Sequence, residues 1–472
     1  MFVQPIRPQP VAWLTRALLV LICSSLAHSQ AQSPFSGSIP SGQATGTTLD
    51  LSLPEAFQRA LKYNLGSIES EQNTRAARAV RLRSLNALLP DLTGRISQAL
   101  QQVNFAAQGI TLNKIPGVHI PTVVGPFGVQ DVRAFLTQQI FNWSDIKGWK
   151  SSTESEKASQ YSYRSDRDLV VFTTGNAYLL VISDLATLDS VRAQVRTAET
   201  LYQQGSDKNK QGVIASIDVL RAHVELQTQQ QRLIAAQNQL DIDKLTLARV
   251  IGLPNGQEFH LTDSVPYVPL EDITLDQALS RAYSTRPDYL SAKAQVQAAE
   301  LAYQASAAEN YPYLSTAADY GDIGNPNFLT SHGTFSVTFA LNIPLFQGTR
   351  VRADKLQADS ALEQRKAELA DLGGRVDAQV RTAFYNLKSS SELVGVGRSS
   401  VELAAQTLTQ AQDRFAAGVA DNLEVVQAQE SVASAEQSYI ASVYAFNTAK
   451  ISLAQALGIA EKSALQYLLG EK

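Results

Sequence analysis

The stretch "TFSVTFALNIP" (residues 334–344) places Phe335, Val337, Phe339, Leu341 and Ile343 on one side of an extended chain. Thr334, Ser336, Thr338, Ala340 and Asn342 fall on the other. A two-residue period of this kind predicts a strand with one apolar and one polar face. Its length matches the roughly 9–11 residues of a membrane-spanning strand. The sequence around it is rich in Ala and Gln and reads as helix, so the fold must combine long helices with a two-faced sheet.

The bulk properties narrow the classes. A chain of 472 residues has room for two or three ordinary domains or one elongated one, and 44% hydrophobic content allows a sizeable core. The net charge of −4, without a long charge run, argues against a nucleic-acid surface. His28, His119, His223, His260 and His332 are scattered with no ligand-like pair, so no metal site is expected. No nucleophile, base and orienting group recur together, and "GVGRSS" (residues 395–400) lacks the third glycine of a dinucleotide loop. No catalytic residue and no cofactor is therefore assigned, and an enzyme is not expected.

Arg7 and Arg16 precede an apolar run at residues 17–23, and small residues follow in "SSLAHSQAQ". This pattern predicts a secretory signal peptide over residues 1–31, with cleavage after Ser29 or Ala31. Cys23 is the only cysteine and lies inside that segment; Ile22 before it, where a lipoprotein wants a small residue, argues against lipidation. The mature chain then has no thiol or disulfide chemistry. Residues 32–50 read as a flexible polar leader. No later stretch is read as apolar over the ~20 residues that a membrane helix needs.

An internal repeat organises the remainder. Ala56, Arg59 and Ala60 match Ala278, Arg281 and Ala282, and Pro90 matches Pro312, all 222 positions apart. "GVIASIDVLRA" (residues 212–222) matches "GVADNLEVVQA" (residues 418–428), and "LTLARVIG" matches "ISLAQALG", both 206 positions apart. The reading is repeat 1 over 51–255, a connector at 256–272, repeat 2 over 273–460 and a C-terminal tail at 461–472. Each repeat runs helix, proline, strand, loop, strand and long helices. The strands are predicted at about 91–103 and 129–141, then 313–320 and 334–344. Pro90 and Pro312 mark the helix–strand junctions, because proline ends a helix and biases its predecessor to extended geometry.

Val425, Val432, Tyr439, Phe446 and Leu453 recur every seventh residue beside a column of Ala428, Ala435, Ser442 and Ala449. Such a pattern predicts supercoiled helices in close approach. Residues 145–210, if helical throughout, would extend roughly 100 Å. Four strands per chain are too few for a barrel, which starts at about eight, and a lipid-facing sheet cannot leave edges open. Two copies would supply eight strands and three would supply twelve; periodicity does not choose between them. Phe141, Trp143, Tyr311, Tyr313 and Phe346 are expected as an interfacial aromatic girdle. The first strand, "DLTGRISQALQQV", alternates poorly.

The duplicated plan, the run "FAAGVADNLEVVQA" (residues 415–428) and the strand ending in "PLF" resemble the TolC-like outer-membrane efflux protein family over about residues 51–458. The resemblance implies an α+β membrane protein and a homotrimer. Its twelve strands would form one barrel in outer-membrane lipid, above a twelve-helix periplasmic barrel. It implies a passive exit duct docked to a periplasmic adaptor and an inner-membrane transporter, for efflux or type I secretion. Carried over, Gly212, Val213, Gly418 and Val419 are adaptor-docking hairpin tips, and Asp218, Glu424 and Phe415 mark the periplasmic entrance constriction. Three copies of Glu424 would form a cation-attracting ring. The chain departs from the pattern at Ala420, at Arg221 and Gln427, and at Asn209, which stands where repeat 2 has Phe415. Phe335, Val337, Phe339 and Leu341 would face lipid. A self-sufficient porin and a periplasmic coiled-coil scaffold are the competing classes.

Overall fold

Ser52 and Thr274, 222 positions apart, each start a helix in the same way. In the computed structural model the Ser52 hydroxyl accepts from the Glu55 amide, and the Glu55 carboxylate accepts from the Ser52 amide at 3.0 Å. Thr274 and Gln277 repeat the exchange. Two amide donors that the helix leaves unpaired are thereby satisfied at each site, and the duplication read from sequence has a local structural counterpart.

The structure describes residues 34–107, 109, 121–265, 267–270, 273–325, 332–417, 419 and 422–470. The expected signal peptide with Cys23, and Gly418, lie outside them. The first half forms β1 (Leu49–Leu51), α1 (Leu53–Tyr63), α2 (Leu65–Asn86), β2 (Asp91–Asn104), β3 (Val123–Phe141), α3 (Trp143–Lys210) and α4 (Ser216–Ile251). After β4 (Phe259–Leu261) the second half forms α5 (Leu275–Thr285), α6 (Pro287–Ala307), β5 (Tyr313–Gly324) and β6 (His332–Asn342). It closes with α7 (Arg350–Ala416), α8 (Asn422–Ala456) and α9 (Ala460–Leu469). The second strand thus begins six residues before the position predicted for it.

The chain divides into two compact units. The first holds the described part of Met1–Ser67 with Thr173–Ser264 and Ala411–Ala433. Here β1 pairs in parallel with β4. The buried Tyr178 hydroxyl donates to the Leu51 carbonyl at 3.1 Å and to Asp263 Oδ2 at 3.0 Å. Asp263 Oδ2 also accepts from the Leu53 amide at 2.6 Å.

Two expectations change in this unit. The described leader is tied down rather than free: Ile39 N donates to Tyr63 O at 2.9 Å, and Ser41 N to Gly252 O at 3.1 Å. Polar composition suggested a free segment, but its backbone finds partners. Helix α3 also contains an 18-residue window apolar enough to cross a membrane, which the sequence reading passed over. Of that window 39% is buried within the chain, and Tyr178, Leu179 and Val181 are among the buried side chains of the helix.

The second unit holds Ile68–Phe172, Val265–Gln410 and Ser434–Lys472. Its connector residues Val265 and Val268 are held through their carbonyls by the buried side chains of Asn447 and Lys450, at 3.3 and 3.1 Å. The tail forms α9, whose first turn is capped by Asp168 Oδ1 accepting from the Glu461 amide at 2.8 Å. A Cβ placed on Gly397 of α7 would lie 3.3 Å from Ser442 Oγ of α8, so the small column does permit close approach.

The sheet of this unit is antiparallel in the order β2-β3-β5-β6. Its register sorts the side chains. Leu92, Leu136, Ala318 and Val337 form one cross-strand row, and Gly94, Ala134, Tyr320 and Phe335 the next. Ile96 faces Val132 on the same side. The opposite side carries Thr93, Phe135, Asp319 and Ser336, then Arg95, Arg133, Gly321 and Thr334. The first strand therefore does have an apolar face, built from Leu92, Ile96 and Leu100 with Gly94 and Gln98 between. Tyr313 pairs with Asn342 and so lies on the polar face, apart from the girdle position expected of it.

Candidate functional site

Two turns of the first unit share their construction. At the end of α3, Gly212 takes φ +75°, a backbone region that glycine enters without steric cost. Val213 N donates to Lys208 O at 2.9 Å, and at the end of α7 Val419 N donates to Arg414 O at 3.0 Å. Each bond reaches back five residues, as in helix ends closed by a left-handed residue. Val213 and Val419 are exposed by 67% and 71%. The structure thus places two apolar side chains at the two tips, both largely uncovered among the described residues.

The acids singled out by sequence stand just beyond these turns. Asp218 is in the first turn of α4 and Glu424 in the first turn of α8, where the helix dipole favours negative charge. Each also meets an arginine of the same chain. Arg221 Nη1 lies 3.3 Å from Asp218 Oδ1, and Arg414 Nε lies 3.2 Å from Glu424 Oε1. The sequence reading named Arg221 only as a departure and did not single out Arg414. An unscreened acidic ring is therefore not what these residues present; each carboxylate has a cation beside it.

Phe415 is buried, and Lys208 Nζ sits 4.3 Å above its ring. Lys208 and Phe415 line a cleft of about 620 Å³ with Arg196, Thr200, Gln204 and Asp413, between the C-terminal ends of α3 and α7. Lys208 and Arg414 occupy equivalent positions in the repeats, 206 apart, and that correspondence was the signal that would have drawn attention to both.

In the second unit Pro90 immediately precedes β2 and Pro312 immediately precedes β5. Phe335, Val337, Phe339 and Leu341 are exposed by 77%, 59%, 69% and 64%. Covering a large apolar side chain is worth roughly 1.5–3 kcal/mol. Four left in water forfeit about 6–12 kcal/mol, comparable to the ~5–15 kcal/mol that holds a domain together. The face needs an apolar surrounding. Edge strands β2 and β6 carry no further strand in this chain among the described residues.

On the polar face Arg133 Nε and Nη2 donate to Asp131 at 2.7 and 2.6 Å, and Nη1 to Asp319 at 3.2 Å. Ser336 donates to Asp319 Oδ1 at 2.6 Å, which joins three strands in one network. A Cβ on Gly321 would stand 2.1 Å from the Val132 carbonyl oxygen and 2.6 Å from Arg133 Cα, so glycine makes room for the backbone of β3 beside it. The sequence reading missed this network because its members sit on three strands. Among the described residues no group of three or more His, Cys, Asp or Glu is placed to hold a metal ion.

Comparison with known proteins follows the same two halves. The profile of the family described as Outer membrane efflux protein matches residues 69–253 and 278–459. Outer membrane protein TolC of Escherichia coli is 23% identical over 342 residues, covering 68% of this chain and 68% of that protein. Toluene efflux pump outer membrane protein TtgC of Pseudomonas putida is 25% identical over 329 residues, covering 66% of this chain and 64% of that relative, a little under two thirds. Among solved structures, the outer membrane protein VceC from Vibrio cholerae superposes with a TM-score of 0.71 at 17% identity, over 86% of this chain and 96% of that one.

Proposed function

The chain belongs to the outer membrane efflux protein family, and from that premise we propose that three copies share one transmembrane barrel and pass cargo outward without chemistry of their own. The observation that carries the reading is the sheet: four strands with one mainly apolar face, broken at Asp322 and the Gln98–Gln130 pair, one polar face, and two edges left open among the described residues. In lipid each unpaired backbone group costs several kcal/mol, so the edges must meet other strands. Three copies supply twelve strands, above the minimum of about eight, with Phe335, Val337, Phe339 and Leu341 toward lipid and the Arg133 network toward water.

Helix α4 supports contact between copies. Ile217, Val224 and Leu245 lie on one seven-residue column, with Leu220 and Ile234 beside it, and all five are exposed. An uncovered seam with this period suits a neighbouring helix. The tips carrying Gly212, Val213, Gly418 and Val419, with the cleft under Phe415, suit a periplasmic adaptor. An inner-membrane transporter would supply energy, because the duct reading requires no catalytic step in this chain. Its relatives TolC and TtgC are named as an outer membrane protein and an efflux pump outer membrane protein.

The test is the mass of the detergent-solubilised protein by light scattering together with conductance in a planar bilayer. Three chains per particle and discrete conductance steps are expected. A protein that stays monomeric without detergent and opens no conductance would overturn the reading.

A further inference from the structure

The polar face of the sheet holds an uneven set of charges. Arg133 is engaged by two carboxylates, Asp131 and Asp319, so that triad carries one net negative charge. Arg95 lies directly across the strand pair from Arg133. Its guanidinium rests on the Phe135 ring at 5.1 Å, with that of Arg133 at 4.9 Å from the same ring. Among the described residues no carboxylate lies in ion-pair range of Arg95, and the side chain is exposed. Among the described residues the other Asp, Glu, Lys, Arg or His side chains on this face are Asp91, which begins β2 about 13 Å along the strand at 3.3 Å per residue, and His332, in the row of Asp131 and counted neutral.

Removing Arg95 would leave this level with one unbalanced negative charge per chain. With it, the level is neutral. Holding the guanidinium over an aromatic ring fixes where that positive charge sits instead of letting a long side chain wander. We propose that Arg95 is the counter-charge that keeps this stretch of the lumen electrically neutral, so that the barrel passes organic cations and anions alike. The inference rests on the shared-barrel reading, which turns this face to the lumen.

The test reads the local potential rather than the whole conduction path. Ser97→Cys places a thiol two residues from Arg95 on the same face, and Ile96→Cys places one on the apolar face. Both are exposed on cells to membrane-impermeant methanethiosulfonates, one bearing trimethylammonium and one sulfonate, with the parent protein as blank. The thiol of Ser97→Cys should react and that of Ile96→Cys should not. Adding Arg95→Gln should raise the cationic-to-anionic rate ratio at Ser97→Cys by about two- to fivefold near 0.1 M salt, from three charges at roughly 10 Å. The gain should vanish at 1 M salt, and Arg95→Lys should leave the ratio unchanged. Arg95→Ala, a second neutral variant, should reproduce Arg95→Gln. An unchanged ratio in both neutral variants, with the thiol still reacting, overturns the role of Arg95 and leaves the barrel standing. A thiol at Ile96→Cys that reacts while Ser97→Cys stays inert overturns the barrel orientation itself.

Discussion

Asp184 on α3 should make the first unit sensitive to pH, in a direction fixed by its surroundings. Asp184 Oδ2 is buried, and no donor among the described residues reaches it. Burial first, and the Asp243 carboxyl of α4 beside it second, push its pKa up to about 7. Asp243 accepts from Gln239 Nε2 at 2.7 Å, whereas Asp184 Oδ2 has no such donor. A carboxyl pair of this kind shares one proton until the pH takes it away. The folded pKa lies above the ordinary value of 3.8, so the contribution to stability is complete below about pH 4 and is lost as pH rises through about 7. At 1.36 kcal/mol per pH unit the full shift would be worth about 4 kcal/mol; solvent reaches the pair, which reduces this to about 1–2 kcal/mol.

The perturbation is Asp184→Asn, whose amide donates to Asp243 and never ionises. The assay is hydrogen exchange by mass spectrometry on peptides spanning residues 180–188 and 239–247, corrected for the intrinsic pH dependence of exchange. Wild-type protection should fall about tenfold between pH 6 and 8.5, since 1.4 kcal/mol is a factor of ten. In Asp184→Asn it should stay level. Equal pH dependence in the two proteins, or a variant less protected at pH 8.5 than wild type, would refute the shared-proton argument.

Three further outcomes follow from geometry. Gly458 has φ +68°, and a Cβ there would stand 2.6 Å from Arg286 Cα, whereas Gly256 at φ +82° faces open space. Gly458→Ala should cost about 2–4 kcal/mol and Gly256→Ala about 1 kcal/mol in thermal unfolding, the difference being backbone overlap. Phe339→Arg should weaken membrane assembly by about 2–4 kcal/mol, judged by the heat at which oligomers dissociate, while Thr338→Arg on the opposite face should not. In planar bilayers Arg414→Gln should shift the reversal potential toward cations and Glu424→Ala toward anions, because each removes one half of a pair; no shift in either would place the pair away from the conduction path.

The sequence made the most regular strand plain and the others progressively less so. Thr334 to Asn342 alternates without interruption, and nothing but alternation is needed to read it. In β2 the outward positions read Leu92, Gly94, Ile96, Gln98 and Leu100, and the glycine and glutamine break the visible period. Only the pairing with Leu136, Ala134 and Val132 reveals the common face. Tyr313 was assigned by type, as an aromatic near a strand start, when parity against Asn342 decides its side. The Gly-Val tips were legible because two copies of the motif could be compared. Arg133 with Asp319, or Asp184 with Asp243, could not be read from spacing. Partners 186 and 59 residues apart are joined by topology, which local pattern does not carry.

The two repeats have kept charge balance at their tips while exchanging the residues that provide it. Position for position, Lys208 corresponds to Arg414, Asn209 to Phe415, Asp218 to Glu424 and Arg221 to Gln427. In repeat 1 the acid is met by Arg221, three residues on in the same helix. In repeat 2 that arginine is replaced by Gln427, and the acid is met instead by Arg414, ten residues back across the turn. Lys208, the counterpart of Arg414, is thereby released from pairing with its own acid and lies on Phe415 of the other repeat. Where Phe415 has its equivalent, Asn209 uses its amide to hold the Ile214 carbonyl at 2.8 Å and so closes its own turn. The divergence is therefore complementary: one repeat supplies the ring and the other the cation. That arrangement ties the two tips of a single chain to each other through side chains that neither repeat would need alone.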